Sequence, residues 1–567
     1  MNSSTELLKV ALDRHLHGRL PEACELYRRV LAVDPDQPQA LSMLGILLMN
    51  TPARAEAESL FLRHLAVVPE DPFTLHNLGR LNHARGDYGA AVDLFRRAAE
   101  GKPDLAPIFN DLAVSLNCLG RRDEALAAVD RALQIDPHYG VAHDNRGIVL
   151  YDCRRFAEAV AAQRRALARI PPDARPEQRI SILLHLALSA YEAEDMAAAE
   201  QSCRAILELD ADHGEAIVHL GKILFRLGRD AEALALLNRL ARRQGLIREG
   251  NVDHPVATVL MLGGVGASHV PTRYLFDMDS FDTRSLTLLT PDQPDAPLAG
   301  VSLEALAEAD LVFNLLGEVE KAGGHLETVA ALVQRLGKPV LNPPERVMRT
   351  GRDRAPELFG DIPGLLVPGV RRLARGEPPD PSLFSSPFLI RPGGAHGGED
   401  LTLIETPADL AAYLDRVPHE RFLLTDFHDF KGDRGAYRKY RFIFVDREPY
   451  PYHLAIAENW LVHYWRADMG QAQWKRQEEE AFLSDWRGVF GAGAAAVVEQ
   501  VARRLDLDYG GMDCSLLADG RVLFFEANAC MLVHLDDAEA AFPYKFRAVP
   551  LIREAVTRMI RNRISRS

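Results

Sequence analysis

Small and apolar positions set the first pattern in this chain. Small residues recur every 34 residues at Ala11, Gly45, Gly79, Ala113 and Gly147, and prolines keep the same step at Pro35, Pro69, Pro103, Pro137 and Pro171. Between them, Ala23, Ala57, Ala91, Ala125 and Ala159 hold phase. A period of this length with two small positions per unit predicts repeated helical hairpins whose helices approach closely. After an insertion around 171–179 the pattern resumes at Ala187 with Ala199 and at Gly221 with Ala233, giving seven units over residues 1–245. A linker near 245–254 ends the helical periodicity. The pattern then changes to short apolar runs: 256–262, Leu311-Val312-Phe313-Asn314 and Pro339-Val340-Leu341-Asn342 read as strands, with helices over 302–309 and 325–336 between them. Gly263-Gly264-Val265-Gly266 follows the first strand, but His269 stands where a dinucleotide fingerprint has its third glycine, so that reading is not adopted. Near the C-terminus, 511–517 and 521–528 are two apolar runs joined at Asp519-Gly520, a hairpin signal.

The N-terminal pattern resembles the tetratricopeptide repeat, an all-α solenoid whose concave groove is lined by the first helix of each hairpin. Two places before the small residue stand Asn77, Asp111 and Asn145, preceded by His76, Asn110 and Asp144. Amides and carboxylates in register suit the backbone of an extended peptide, and they equally suit helix-to-helix hydrogen bonding. A peptide or protein partner in this groove is the expectation.

In the hairpin, Glu526 and Asn528 lie two apart and leave the same strand face, where Asp513 of the partner strand meets them. Oxygen donors of this kind suit Mg²⁺, which takes few protein ligands and completes its shell with water and phosphate. The set resembles the metal-binding end of the ATP-grasp superfamily, typified by D-alanine:D-alanine ligase and glutathione synthetase, where an Asp is followed thirteen residues later by Glu-x-Asn, as here. Gly511 stands where some relatives place an arginine, and 529–534 replaces their small-residue run. The resemblance extends in segment order over 255–545. It implies an α/β domain preceding the ATP-grasp fold at 255–345, an α+β ATP-grasp domain at 346–567, and bound ATP with one or two Mg²⁺ ions.

Other segments take their roles from the same resemblance. Arg391 ends an apolar strand in the place of the family's lysine, and Gly393, Gly394, Gly397 and Gly398 form the loop expected to close on phosphates. Thr425, Asp426 and Phe427 fall in the adenine hinge, an apolar strand whose backbone edge would pair with the base. Lys439 and Arg441 share one face of a later strand, where cations neutralise a transferring phosphate. His453 and His463 lie in aromatic segments where the acceptor is expected, His453 being taken as an acceptor-site base or ligand.

Composition restricts the alternatives. The chain has 567 residues, 47% hydrophobic and 26% charged, too long for a single core. A net charge of -14 argues against nucleic-acid binding. The apolar run 44–49 is far short of a membrane span. The charged stretch 1–18 lacks the apolar core of a secretion signal. The cysteines at 24, 118, 153, 203, 514 and 530 show neither C-x-x-C nor zinc spacing, which fits a reducing cytoplasm. The expectation is an ATP- and Mg²⁺-dependent carboxylate-amine ligase acting through an acyl phosphate, with Arg391, Arg441 and His453 at the reacting centre and the solenoid recruiting a peptide or protein. A phosphotransferase on the same site, or a scaffold with a degenerate ATP domain, are the alternatives.

Overall fold

The computed structural model describes the chain apart from residues 1–2, 172, 250–251, 253–254, 268–269, 271, 273, 278–279, 291–297, 395–397, 399, 465–466, 468, 471, 530, 536–538, 540 and 566–567. It divides into two compact units, Met1–Ile223 and Leu224–Ser567.

The first unit is a run of antiparallel helix pairs beginning at Ser3–Leu16. The repeated small residues are where its helices touch. A Cβ on Gly45 would sit 2.5 Å from the Phe61 ring, and one on Gly79 would sit 2.6 Å from Phe95. The second-helix alanines Ala23, Ala57, Ala91, Ala125 and Ala159 are fully buried. Several first helices open on proline at their first or second position, where the missing N–H costs nothing. Asp71, Asp87 and Asp195 cap helix starts by accepting from the backbone amides of Thr74, Ala90 and Ala198. The unit boundary falls inside the helix Gly214–Arg226. The helix Asp230–Gln244 therefore belongs to the second unit, where Asn238 donates to Thr290 Oγ1 at 2.8 Å and accepts from the Thr290 amide at 3.0 Å.

The second unit holds three sheets. The first contains β1 (Leu246–Glu249), β2 (Ala257–Gly264), β3 (Phe281–Leu288), β4 (Leu311–Asn314) and β5 (Val340–Leu341), in the order β1-β3-β2-β4-β5. All neighbours are parallel except the antiparallel edge strand β1. Three elements depart from the sequence reading, the first being β1, a strand inside the expected linker at 245–254 that pairs with β3. β3, with Asp282, Thr283, Arg284 and Ser285 in its middle, carries too little apolar signal to be read as a buried strand. The helix expected at 325–336 starts earlier, at Val319, because its buried face continues through Ala322. Gly264 is needed for close approach, since a Cβ there would meet the His325 ring at 2.6 Å.

The remaining strands are β6 (Leu365–Leu366), β7 (Val370–Ala374), β8 (Phe388–Pro392), β9 (Thr402–Ile404), β10 (Arg421–Asp426), β11 (Tyr437–Val445), β12 (Glu448–Ala457), β13 (Tyr509–Leu516) and β14 (Val522–Asn528). The second sheet is antiparallel, in the order β7-β10-β8-β9. The helix Pro407–Arg416 packs its Leu410 and Tyr413 into this sheet's core, and a Thr406/Asp409 capping box starts it. The third sheet runs β12-β11-β13-β14-β6, with β6 parallel to β14. Its core centres on Phe442, which meets Phe482, Trp486 and Phe490 edge to face at 5.0–5.3 Å.

Asn342 ties the first sheet to the third. It sits just after β5 with a positive φ of 53°, a conformation asparagine tolerates better than most residues. Its amide donates to Asp508 Oδ2 at 2.9 Å, and its Nδ2 donates to the Tyr509 carbonyl at 2.8 Å. Its Oδ1 accepts from the amides of Asp508 and Tyr509, each at 2.9 Å. Its carbonyl accepts from Asn314 Nδ2 at 2.9 Å, and all four residues are buried. Asn342→Ala leaves two buried amides and a carbonyl without their partner, so it is expected to destabilise the second unit by about 2–4 kcal/mol. Urea denaturation of the full chain followed by tryptophan fluorescence measures this, because the second unit holds all four tryptophans. A shift under about 0.5 kcal/mol, the range of a neutral surface change, would contradict the structural role given to Asn342.

Candidate active site

A cavity of about 400 Å³ is lined by residues of the second and third sheets, and its polar wall is a row across the third. His453 on β12 is the cross-strand partner of Arg441 on β11, Arg441 of Asp513 on β13, and Asp513 of Glu526 on β14. All four line the cavity. Register shifts after Arg441 and after Asp513 accompany this row. Such irregularities re-aim side chains that regular pairing would carry past one another.

The carboxylates of this row are held by guanidinium groups. Arg441 grips Asp513 with two bonds, Nε to Oδ1 at 2.6 Å and Nη2 to Oδ2 at 2.8 Å, and Lys439 Nζ lies 3.2 Å from Oδ2. Arg352, in the turn 352–354, donates to Glu526 Oε2 through Nε at 3.2 Å and Nη2 at 2.8 Å, and its Nη2 also reaches Glu318 Oε1 at 3.0 Å. Burial alone would push both site carboxyls up, but the cations outweigh it. Asp513 lies well below the usual range because of Arg441 and Lys439, and Glu526 is held down at about 2 by Arg352 and Arg391. Both are therefore ionised oxygen donors. Asn528 lines the same cavity one step along β14. Among the described residues no three His, Cys, Asp or Glu side chains form a ready-made cation cage.

The facing sheet brings Arg391, Thr425 and Asp426 to the cavity, with Phe427 just beyond β10. Arg391 is half-buried on β8, paired to Leu423 of β10, and desolvation followed by the neighbouring Arg352 lowers its pKa. Gly393 donates its amide to the Arg421 carbonyl at 2.9 Å, while Gly394 and Gly398 both have φ of 79°. Gly398 lines the cavity, Gly393 and Gly394 do not, and Gly397 lies outside the described residues. The expected open edge on the adenine strand is corrected. β10 is an inner strand paired on both sides, the Asp426 amide donates to the Gly369 carbonyl, and the Phe427 amide donates to the Pro387 carbonyl. Just beyond the strand, Phe427 meets Trp460 edge to face at 5.8 Å.

The sequence reading did not include Arg352 or Glu318. Each stands alone in its segment, without a motif, and only the folded chain brings them to Glu526. Nor did it include Tyr464, which stacks on His453 at 4.6 Å between ring centroids, or Lys545, which bonds the Tyr464 hydroxyl and lies 3.5 Å from the buried Glu479. The Cys514 thiol is pushed well up by burial and by Asp513, so it is not a nucleophile at neutral pH.

In the first unit, a pocket of about 430 Å³ is lined by Asp111 and Asn145 together with Arg54, Arg80 and His83. Asn77 is outside that lining. The rungs are hydrogen-bonded from repeat to repeat: Asn145 Nδ2 donates to Asn110 Oδ1 at 2.8 Å, and Asp111 Oδ2 bonds His76 Nε2 at 2.9 Å.

Because Asp513 is buried, removing Arg441 takes away its two-point partner and leaves Lys439, 3.2 Å from Oδ2, as its one paired cation. Arg441→Met is expected to cost about 3–5 kcal/mol of stability near neutral pH. A carboxyl with a depressed folded pKa contributes stability that is complete above its unfolded pKa of about 3.9 and fades as pH falls below it. In the variant the carboxyl is held down by Lys439 without Arg441, so it gains a proton at higher pH than in the wild type and the penalty shrinks as pH falls toward about 4. Thermal melts of wild type and variant between pH 7 and pH 4 measure this, and a penalty that does not change with pH would contradict it.

Comparison with known proteins adds to the first unit. Tetratricopeptide repeat family models match residues 17–73, 74–101, 111–174 and 190–245. The small glutamine-rich tetratricopeptide repeat-containing protein 2 of Mycosarcoma maydis is 31% identical over 87 residues, which is 15% of this chain and 25% of that protein. The chain thus spans about a quarter of the length of the curated relative it matches. Among solved structures, a MamA protein is 22% identical with TM-score 0.27, covering 29% of this chain and 91% of that one. PilF of Pseudomonas aeruginosa is 16% identical with TM-score 0.33, covering 38% and 94%. YrrB, described as a tetratricopeptide repeat protein with an unusual peptide-binding site, is 15% identical with TM-score 0.29, covering 34% and 97%. The N-terminal region of this chain carries tetratricopeptide repeats.

Proposed function

We propose that the second unit is an ATP-grasp enzyme, an ATP- and Mg²⁺-dependent carboxylate-amine ligase, and that the repeats of the first unit recruit its peptide or protein substrate or partner. The observation that carries this reading is the convergence, in one cavity, of Asp513, Glu526 and Asn528 from one sheet and Arg391 from the other. Two ionised carboxylates and an amide on neighbouring strands fit a hard cation that takes its remaining ligands from phosphate and water. Magnesium, when bound, supplies charge neutralisation and a template for the phosphates.

The chain's own groups would do the rest. Arg391, Arg441 and Lys439 face the phosphates and offset the charge that develops on the transferring group. A nucleotide would offer Arg441 phosphate oxygens in place of the Asp513 carboxylate it now holds, which would leave Asp513 open to the cation beside Glu526. Phe427, Phe430 and Trp460 supply an apolar slot for a base. ATP phosphorylates a carboxylate to an acyl phosphate, and an amine displaces phosphate. Positioning and charge neutralisation suffice, without a protein nucleophile.

The alternative of a degenerate ATP domain on a repeat scaffold draws on the same arginine-carboxylate pairs, which would then be permanent. Nucleotide binding separates the two. In the ligase reading, Mn²⁺ used as a probe binds weakly to the full chain alone and much more tightly with ATP. Glu526→Ala removes this synergy, and Arg391→Ala weakens ATP binding about ten- to a hundredfold, the worth of one charge-assisted contact. Titration calorimetry measures both. Metal affinity that ATP does not change would favour the scaffold, and phosphorylated product in place of an amide would favour a phosphotransferase.

The solenoid reading has a separate test. Replacing Asn77, Asp111 and Asn145 together by Ala is expected to raise KM for a peptide substrate and leave kcat and small-substrate turnover unchanged, because recruitment is uniform binding. A lower melting temperature of the first unit with no change in KM would assign these residues to inter-repeat bonding alone.

A further inference from the structure

Beyond Arg441 the cavity continues into an end that the nucleotide does not account for. Its walls are His453, Val462, Tyr464, Met531, Leu532 and His534. His453 is only 4% exposed, and neither ring nitrogen has a hydrogen-bond partner among the described residues. A buried polar group left so costs stability unless something comes to meet it. The ring is held in place by its stack on Tyr464 and a tilted contact with Tyr452 at 4.9 Å. Burial, then Arg441, keeps this imidazole neutral, so it presents one N–H donor and one acceptor nitrogen.

The charges around this end favour an anion. Arg441 and Lys439 stand against the single carboxylate of Asp513, a surplus of one positive charge. Away from this end, the three carboxylates of Glu526, Glu318 and Glu320 face Arg352 and Arg391, and Lys545 lies against Glu479. An ammonium placed here would meet Arg441 and Lys439 with no free carboxylate to compensate it. A carboxylate would meet a guanidinium, an ammonium and the His453 N–H, and its neighbouring group would lie against Val462, Tyr464 and Met531.

Resting on the ligase reading above, we propose that this end of the cavity seats the carboxylate substrate rather than the amine, that His453 donates a hydrogen bond to the reacting carboxyl group, and that the substrate carries an uncharged aromatic or aliphatic group beside that carboxyl. A carboxylate oxygen attacks the γ-phosphorus, the bond to the bridging oxygen breaks, and ADP leaves with that electron pair. Hydroxylamine can stand for the amine. Its nitrogen attacks the acyl carbon, the carbon-oxygen bond to phosphate breaks, and a hydroxamate, phosphate and a proton result.

The full chain with Mg-ATP and hydroxylamine is assayed for hydroxamate from N-acetyl-L-phenylalanine and N-acetyl-L-leucine, against N-acetyl-L-aspartate and N-acetyl-L-lysine. The apolar pair is expected to react and the charged pair to react at least about tenfold less well, the discrimination expected of an apolar pocket facing a charged side chain. His453→Ala is expected to raise KM for N-acetyl-L-phenylalanine about tenfold with the Kd for Mg-ATP unchanged, as loss of one buried hydrogen bond predicts. His453→Gln keeps an N–H donor and is expected to recover most of the loss. Equal reaction of all four carboxylates, reaction of none while Mg-ATP binds, or a His453→Ala effect on Mg-ATP alone would overturn the assignment. Failure of wild type to bind Mg-ATP would instead remove the ligase reading on which it rests.

Discussion

Two buried carboxylates and the guanidinium groups that hold them organise the second unit. Asp513 is fully buried in the middle of a sheet, a position where an uncompensated charge costs several kcal/mol, and Arg441 offsets that cost with a two-point grip from the next strand. The pairing works only if β11 and β13 keep the register that sets Arg441 opposite Asp513. Glu526 makes a different demand. Its partner comes from the turn 352–354, between the first and second sheets in the chain, so the turn must fold onto β14 for the charge to be tolerated. Arg352 also reaches Glu318, which precedes the helix Val319–Leu336 of the first sheet. One side chain thereby couples the edge of the first sheet to the polar wall of the cavity.

Asn342 performs the same coupling without charge. A backbone that leaves β5 in a left-handed conformation exposes an amide, a carbonyl and a side-chain amide at one point, and all three find partners on Asn314 and at the start of β13. The strand carrying Asp513 starts at this junction. The position of Asp513 is thus set at two points along β13, by Asn342 at its start and by Arg441 at its middle. A site built on a strand fixed in this way is held more closely than one carried by loops.

How much of this the sequence carried follows from which interactions are local. The hairpin at β13 and β14 was legible because Asp519-Gly520 marks its turn and the alternation places Asp513 and Glu526 on one face. The helical repeats were legible because a close helix contact needs a small residue, and the contact recurs at fixed spacing. β3 was not legible, since Asp282 and Arg284 are satisfied by ion pairs with Arg248 and Glu308 that no local pattern announces. Arg352 and Glu318 escaped for the same reason, since their meaning lies in a residue more than 170 positions away. The strand at 421–426 was expected to offer a free backbone edge and does not, because whether a strand is inner or outer depends on β7, a short run of mixed polarity with Arg371 and Arg372 at its centre.

The arginine pairs that make the carboxylates tolerable also determine how a nucleotide would enter. A carboxylate released from its arginine inside a sheet is worse than one left paired, so a cation arriving alone must replace both the Coulomb attraction and the hydrogen bonds of a guanidinium. A cation arriving with phosphate does not face this cost, because the phosphate oxygens occupy the arginine while the metal occupies the carboxylate, and no charge is stranded in the exchange. His453, at the end of the row, is kept neutral by a different cause, burial and then Arg441, and neither of its ring nitrogens has a partner among the described residues. Under the proposal above, that hydrogen-bonding capacity would go to a group entering beside Tyr464 and Met531.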